Sequence, residues 1–157
     1  MPISIDGDGT IQGYTPNRPA FAAKMVNAAY VLPQATLTKV PYETETFDTN
    51  NAYSTSNYRF TVPSGHAGKY FIGANCGVDD LNSGHYLLFE IQVNGTGQIT
   101  TNQFNSNNDE ITSANLCNIF DLSVGDYVEA HVRNSNNTGN EAFEPAYCSF
   151  FGFKLNI

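Results

Sequence analysis

Apolar side chains recur at every second position in several short stretches of this chain. Residues 86–94 alternate in this way and are followed by an Asn-Gly turn pair, and residues 127–133 place Val128, Ala130 and Val132 on one side. Successive side chains of a strand point to opposite faces, so a period of two bounded by Asn, Gly, Asp, Ser and Pro predicts antiparallel strands rather than helices. The sequence therefore predicts an all-β fold made of two packed sheets.

The length of the chain, 157 residues, suits one compact domain. We place this domain at residues 18–157 and treat residues 1–17 as an N-terminal arm. In the arm, Ile3, Ile5 and Ile11 flank a Gly-rich turn at residues 6–9, which predicts a small hairpin that anchors the domain to another protein.

Residues 42–72 combine aromatic and turn residues at a spacing that unrelated β-sequences seldom show. Tyr42 is followed by Asp48, Tyr53 and Phe60, and then by a proline turn and a Gly-Lys-Tyr-Phe-Ile run. This spacing resembles the signature of the complement C1q globular-head family. The chain departs from that signature in its last aromatic, which is Ile72, and in a longer loop after the proline; both changes keep the strand or lengthen a turn.

Three further stretches stand in the order that the same family shows. Residues 19–23 resemble its opening strand, residues 122–128 its Leu-x-x-Gly-Asp-x-Val turn, and residues 149–155 its closing strand, so the resemblance covers residues 18–157. The positions that carry the resemblance are Phe21, Tyr42, Asp48, Tyr53, Phe60, Gly68, Tyr70, Gly125, Asp126, Phe151, Gly152 and Phe153. The resemblance implies a ten-stranded C1q/TNF-like jelly-roll sandwich that assembles as a homotrimer and acts as a binding or assembly module, not as an enzyme.

Several large apolar residues fall opposite the predicted core faces and support a subunit interface. We assign Phe151, Phe153 and Leu155 to the core, which leaves Phe150 on the outside. The predicted interface residues are Phe71, Tyr86, Leu88 and Phe150. We expect Phe150→Glu to dissociate the trimer. The alternative is that one subunit covers both faces of an inner strand by itself.

The charge of the chain excludes some partners. Fifteen acidic residues against seven basic ones give a net charge of −8, and the Lys and Arg residues are scattered along the sequence. Nucleic acid and anionic membrane surfaces both require clustered basic residues, so we expect neither as a ligand. No apolar run approaches the length of a membrane span, and the first residues show no signal-peptide pattern.

The three cysteines, Cys76, Cys117 and Cys148, are odd in number and widely separated. We expect three buried, reduced thiols with no disulfide framework, and the histidines lack the spacing of a Cys/His metal site. No nucleophile motif is present, which agrees with a non-enzymatic role, although a triad assembled from distant residues stays open.

Calcium is the one cofactor that the sequence leaves open. Hard cations prefer carboxylate and carbonyl oxygens from loops, and some members of the resembled family bind calcium. The candidate ligands are Asp79, Asp80, Asp109 and Glu110. Solvated turn residues are the alternative interpretation.

Loops rich in Asn, Ser and Thr are the predicted ligand-binding regions, because amide and hydroxyl groups match the hydroxyls of glycans. The candidate residues are Asn105, Asn107, Asn108, Asn136 and Asn137. We predict a virion fibre, spike or capsid-decoration protein of a bacterial virus, made in the host cytoplasm, that contacts other virion proteins through its arm and a host-surface glycan or protein through its loops. The alternative is an extracellular C1q-like recognition module, secreted or on a cell surface.

Overall fold

The computed structural model describes residues 4–5, 7, 11–12, 18–106, 111–135 and 140–156. These residues form antiparallel strands and one short 3-10 turn, Pro145–Tyr147. The strands are β1 Ser4–Ile5, β2 Ile11–Gln12, β3 Ala20–Lys24, β4 Val31–Leu32, β5 Thr38–Lys39, β6 Thr44–Asp48, β7 Tyr53–Ser54, β8 Arg59–Thr61, β9 Gly68–Asp79, β10 Tyr86–Val93, β11 Thr96–Phe104, β12 Ile111–Leu122, β13 Tyr127–Asn134, β14 Glu141–Ala142 and β15 Ser149–Lys154.

Two large sheets form the domain. The five-stranded sheet has the order β12-β9-β15-β3-β6, and the six-stranded sheet has the order β11-β10-β13-β8-β7 with β5 also paired to β13. In the arm, β1 pairs with β2, while β14 pairs with β4. The all-β sandwich predicted from the sequence is confirmed. Residues 18–156 carry thirteen strands in their described part, however, because several two-residue pairings add to the long strands. No helix in the described ranges is both long and apolar enough to span a membrane.

Aromatic rings from both sheets meet in the core. Phe21 of β3 stacks on Phe60 of β8 with ring centroids 4.7 Å apart, and its edge contacts Phe150 of β15 at 5.0 Å. Phe150 also packs against Tyr42 at 5.5 Å. Such pairs add about 0.5–1.5 kcal/mol each beyond the burial of their area. This aromatic cluster joins the two sheets.

The placement of Phe150 corrects the sequence interpretation, which put it on the outer surface. Phe150 is fully buried inside one subunit, whereas Phe151 is half-buried and Phe153 is exposed on the outer side of the sheet. The register explains the inversion: Phe150 pairs with buried Ala74, and Phe153 pairs with Phe71. Directly paired residues share a face, so the neighbouring strand and not the length of the apolar run decides the side.

Gly152 shows why the closing strand contains a glycine on the core side. A Cβ atom at this position would lie 2.5 Å from Cδ1 of Ile72 and 2.9 Å from Cε1 of Phe21. Those two large side chains therefore fill the space that a side chain at position 152 would need.

The signature residues of the sequence bind one another. The Asp48 carboxylate accepts the backbone N–H of Tyr53 at 2.6 Å and that of Asn50 at 3.0 Å. The Tyr53 hydroxyl donates to the carbonyl of Tyr42 at 2.9 Å, and the Tyr42 hydroxyl donates to the carbonyl of Asn75 at 3.0 Å. Each aromatic residue thus fills the core while its hydroxyl satisfies a backbone carbonyl.

A second network fixes the turn that leads into β13. Gly125 has a φ of +86°, a conformation that favours glycine. Asp126 accepts the N–H of Ser123 at 2.7 Å and the Nδ2–H of Asn94 at 2.8 Å, and the hydrogen bond from Asn94 is the main cause that lowers the pKa of Asp126. The same Asn94 accepts the N–H of Tyr127 at 3.0 Å, so the turn holds β10 and β13 in register.

Candidate interaction surfaces

The outer side of the five-stranded sheet is apolar. Ile119, Phe71 and Phe153 lie side by side across β12, β9 and β15, and Phe71 and Phe153 have ring centroids 5.5 Å apart. A neighbouring row runs from Cys117 through Gly73 and Phe151 to Ala22 and Phe47. We call the following residues the aromatic face: Phe47, Phe71, Ile119, Phe151 and Phe153.

A glycine lies beneath one ring of the aromatic face. A Cβ atom at Gly73 would lie 2.5 Å from Cζ of Phe151, so only a residue without a side chain lets this ring lie against β9. Three members of the face remain open to solvent in one subunit, since Ile119 is 52% exposed, Phe47 is 48% exposed and Phe153 is 46% exposed. Contiguous apolar surface of this kind marks an interaction site on a soluble protein.

The outer side of the six-stranded sheet carries a cluster of charged residues on β5, β8 and β13. Glu129 of β13 is buried and accepts a hydrogen bond from Nζ of Lys39 at 2.6 Å, while Nε of Arg59 lies 3.0 Å from the same oxygen. The Arg59 guanidinium stacks over the ring of Tyr127 at 4.3 Å. We call the following residues the charged face: Lys39, Arg59, Tyr127, Glu129 and His131.

His131 completes the charged face. Its Nε2 lies 3.9 Å from a Glu129 oxygen. Burial is the largest cause that lowers the pKa of His131 below its ordinary value, and the carboxylates of Glu129 and Glu90 oppose that shift while Lys39 adds to it. Neutral His131 is therefore favoured in the folded chain at neutral pH. This cluster has little local signal in the sequence, because its members come from β5, β8 and β13.

The four residues predicted for a trimer interface do not lie together. Phe71 belongs to the aromatic face, and Phe150 is in the core. Tyr86 and Leu88 are half-buried on the outer side of the six-stranded sheet, where Tyr86 contacts Phe104 with ring centroids 5.4 Å apart. Of the four residues, only Phe71 lies on the aromatic face. Its neighbours there include Phe151 and Phe153, which the sequence analysis assigns to the core.

The predicted ligand loops are only partly described. Asn105 is buried, its side-chain amide donates to the carbonyl of Leu81, and its backbone N–H donates to the carbonyl of His85 at 2.9 Å. Asn105 therefore holds the loop together and is not displayed to a ligand, which corrects its assignment. The other four candidates, at positions 107, 108, 136 and 137, lie outside the described residues.

Two of the four predicted calcium ligands lie among the described residues, and two do not. Asp79 ends β9 and pairs with Ile111, and Asp80 follows it with a φ of +59° and donates its N–H to the Asp79 carboxylate at 2.9 Å. Asp109 and Glu110 lie outside the described residues. Among the residues that the structure describes, no three His, Cys, Asp or Glu side chains gather in a metal-binding arrangement. Calcium stays a prediction.

The cysteines differ from one another in environment. Cys76 and Cys148 are buried free thiols, but Cys117 is exposed on the outer side of β12, which corrects the expectation that all three are buried.

A serine–histidine contact joins Ser135 Oγ to His85 Nδ1 at 3.3 Å. The same hydroxyl accepts the N–H of Tyr86 at 2.8 Å, so this contact ties the chain after β13 to the start of β10.

Solved structures of other proteins share this fold. The globular domain of zebrafish complement 1qA protein superposes with a TM-score of 0.63 at 16% identity, over 88% of this chain and 98% of that chain. Murine APRIL superposes with a TM-score of 0.63 at 13% identity in its pH 5.0 structure and with 0.59 at 14% identity in its pH 8.0 structure, in both cases over 88% of this chain and 99% of that chain. The likeness establishes an all-β sandwich of the C1q/TNF jelly-roll type. No protein-family profile and no curated protein matches the sequence.

Proposed function

We propose that this chain is the subunit of a non-enzymatic homotrimeric recognition module. The observation that carries this proposal is the aromatic face, which covers the outer side of β9, β12 and β15 and remains open in a single subunit. Full burial of one large apolar side chain contributes about 1.5–3 kcal/mol. Copies of this chain that pack their aromatic faces against one another would therefore gain a substantial free energy of association.

Threefold symmetry is the arrangement that the fold supports. The sequence resemblance implies a trimer, and the structural likeness to the complement 1qA domain and to APRIL places the chain in the same fold class. The charged face is on the opposite sheet, and its buried carboxylate already has its ion partners within one subunit. The aromatic face is thus inside the proposed trimer, and the charged face is outside.

Two polar stretches of the sequence are the proposed recognition surface. Residues 102–113 and 134–140 are rich in Asn, Ser and Thr, whose amide and hydroxyl groups suit a polar ligand such as a cell-surface glycan.

The proposed setting is the virion of a bacterial virus, with the β1–β2 pair of the arm docked on the particle. An extracellular recognition module is the second candidate, favoured by the likeness to the complement 1qA domain. Electron microscopy of native particles separates the two: density for this chain on virions supports the first candidate, and recovery only as a free secreted protein supports the second.

A pair of matched substitutions tests the assembly by sedimentation. Phe153→Glu places a charge in the aromatic face and is expected to convert the trimer to monomers that keep the far-ultraviolet dichroism of a β-protein. Phe104→Glu is the control, because Phe104 is 63% exposed but lies on the other sheet, and this variant is expected to remain trimeric. A wild-type chain that sediments as a monomer, or a Phe153→Glu variant that remains a trimer, would contradict the proposal.

A further inference from the structure

Cys76 and Cys148 face each other across two neighbouring strands. Ser149 of β15 pairs with Asn75 of β9 in antiparallel register, so the residue before Ser149 lies opposite the residue after Asn75. Both cysteines point into the core, with 0% and 2% of their surface exposed. Opposed residues of antiparallel strands have Cα atoms about 4.5–5.5 Å apart, and a disulfide spans about 4.4–6.8 Å between Cα atoms. The backbone spacing therefore suits a disulfide between the two side chains.

The contacts of the two sulfurs give them different roles. The Cys148 sulfur accepts the N–H of Gly77 at 3.5 Å, and its thiol donates to the carbonyl of Glu144 at 3.3 Å. A hydrogen bond from the Cys76 thiol is the largest cause that lowers the pKa of Cys148, and burial is the largest cause that raises the pKa of Cys76. Cys148 is thus the sulfur that more readily becomes a thiolate, and Cys76 is the sulfur that keeps its proton.

Cys148 lies closer to the protein surface than Cys76 does. Cys148 lines a surface cavity of about 450 Å³ between the end of β3 and the 3-10 turn, together with Met25, Pro145 and Ala146. Cys76 lies behind it without exposed surface, against the core side that Tyr42 also occupies. A small disulfide that enters this cavity therefore meets residue 148 before Cys76.

We propose that Cys148 is a site of modification by low-molecular-weight disulfides and that Cys76 resolves the adduct into an intramolecular Cys76–Cys148 bond. In the first step the Cys148 thiolate attacks one sulfur of the small disulfide, a new sulfur–sulfur bond forms, the original one breaks, and one small thiolate leaves and takes a proton from water. In the second step Cys76 loses its proton and attacks the Cys148 sulfur, which releases the other small thiolate. Two protein thiols are oxidised, and one small disulfide is reduced to two thiols.

The resulting bond ties β9 to the entry of β15 and closes a long loop of the chain. Such a link restricts the unfolded chain and is expected to raise the melting temperature. This proposal is independent of the proposed trimer, because both sulfurs are on the core side of the five-stranded sheet, whereas the aromatic face is on its outer side.

The test uses the full chain with Cys117→Ser, which removes the exposed third thiol. The reduced protein is incubated in native buffer with 2-hydroxyethyl disulfide and analysed by intact mass and by peptide mapping without reductant. The expected product has lost two hydrogen atoms, contains linked peptides with Cys76 and Cys148, and melts at a higher temperature than the reduced protein. Two free thiols after prolonged native incubation, or a persistent adduct on Cys148 with Cys76 intact, would overturn the proposal.

Two alanine variants in the same background test the order of the steps. Cys76→Ala is expected to accumulate a stable adduct on Cys148, and Cys148→Ala is expected to leave Cys76 unmodified while the protein is folded. An adduct on Cys76 in folded Cys148→Ala would overturn the assignment of roles. Melting curves establish that each variant is folded, and if one is not, the peptide map of the parent decides the proposal.

Discussion

The two sheets of this domain use the same alternation of side chains but present opposite chemistry to their surroundings. On the five-stranded sheet, Ile119, Phe71 and Phe153 form an apolar row, in which Ile119 and Phe153 remain exposed and Phe71 is half-buried. On the six-stranded sheet, Glu129 is buried at the centre of its own ion pairs with Lys39 and Arg59. The residues on the outer side of each sheet therefore decide whether that sheet requires a partner. In our proposal the aromatic face receives a partner subunit, whereas the Glu129 carboxylate of the charged face has its ion partners within the chain.

The largest expected effect tests the boundary between the core and the aromatic face. Phe150→Ala removes a fully buried ring that contacts Phe21 and Tyr42, so we expect it to lower the free energy of unfolding by about 3–5 kcal/mol. Urea unfolding measures this change. Phe104→Ala is the control, and a substitution at this exposed position should stay within about 0.5 kcal/mol of the wild type. Equal effects at the two positions would show that Phe150 is not in the core.

The next effect tests how much the ion pairs of Glu129 with Lys39 and Arg59 contribute to stability. Glu129→Ala leaves Lys39 and Arg59 facing each other without the carboxylate they share, and because both cations keep partial access to water, we expect a loss of about 1–3 kcal/mol. Asp121→Ala breaks the exposed ion pair with Lys69 and should cost less than about 1 kcal/mol. Chemical denaturation of the two variants compares the pairs. A loss at position 129 no larger than that at position 121 would remove the distinction.

The smallest effect concerns pH. Because the folded-state pKa of His131 is lower than its ordinary value of 6.5, the unfolded chain binds the proton first as pH falls. The contribution of neutral His131 to stability is therefore complete above the ordinary pKa and is lost as pH falls from there through the folded-state pKa. Between pH 7 and pH 5, His131→Gln should lose less stability than the wild type, as measured by urea midpoints. An identical pH profile for His131→Gln and the wild type would contradict this assignment.

The fold could be predicted from the sequence because its signature residues form hydrogen bonds with residues close to them in the chain. Asp48, five residues before Tyr53, is at the distance that lets its carboxylate accept the Tyr53 N–H, and the Tyr53 hydroxyl then returns to Tyr42. Turn residues such as Gly125 have conformations that few other residues adopt. Spacing and residue type together were therefore sufficient to predict the sandwich.

The two surfaces were harder to predict from the sequence, because their composition depends on which strands become neighbours. Phe150, Phe151 and Phe153 put aromatic rings on both sides of β15, and only pairing with Ala74, Gly73 and Phe71 of β9 decides which side is inside. Periodicity within one strand could not separate these alternatives.

The charged face depends on still more distant contacts. Lys39 and Glu129 are ninety residues apart in the chain and meet only when β5 and β8 pair with β13. Asn105 likewise resembled an open loop residue, but its side chain turns inward to the carbonyl of Leu81. Long-range contacts of this kind have no local signal in the sequence.

The first and last long strands, β3 and β15, are adjacent, and the N–H of Lys154 donates to the carbonyl of Pro19 at 2.9 Å. A fluorophore, affinity tag or carrier protein joined near either position would consequently emerge at one pole of the sandwich. Asp79 and the start of β12 lie at the far end of β9 from that pole. Immobilisation close to residue 19 or residue 154 would leave that distal pole accessible, which gives binding measurements a defined orientation.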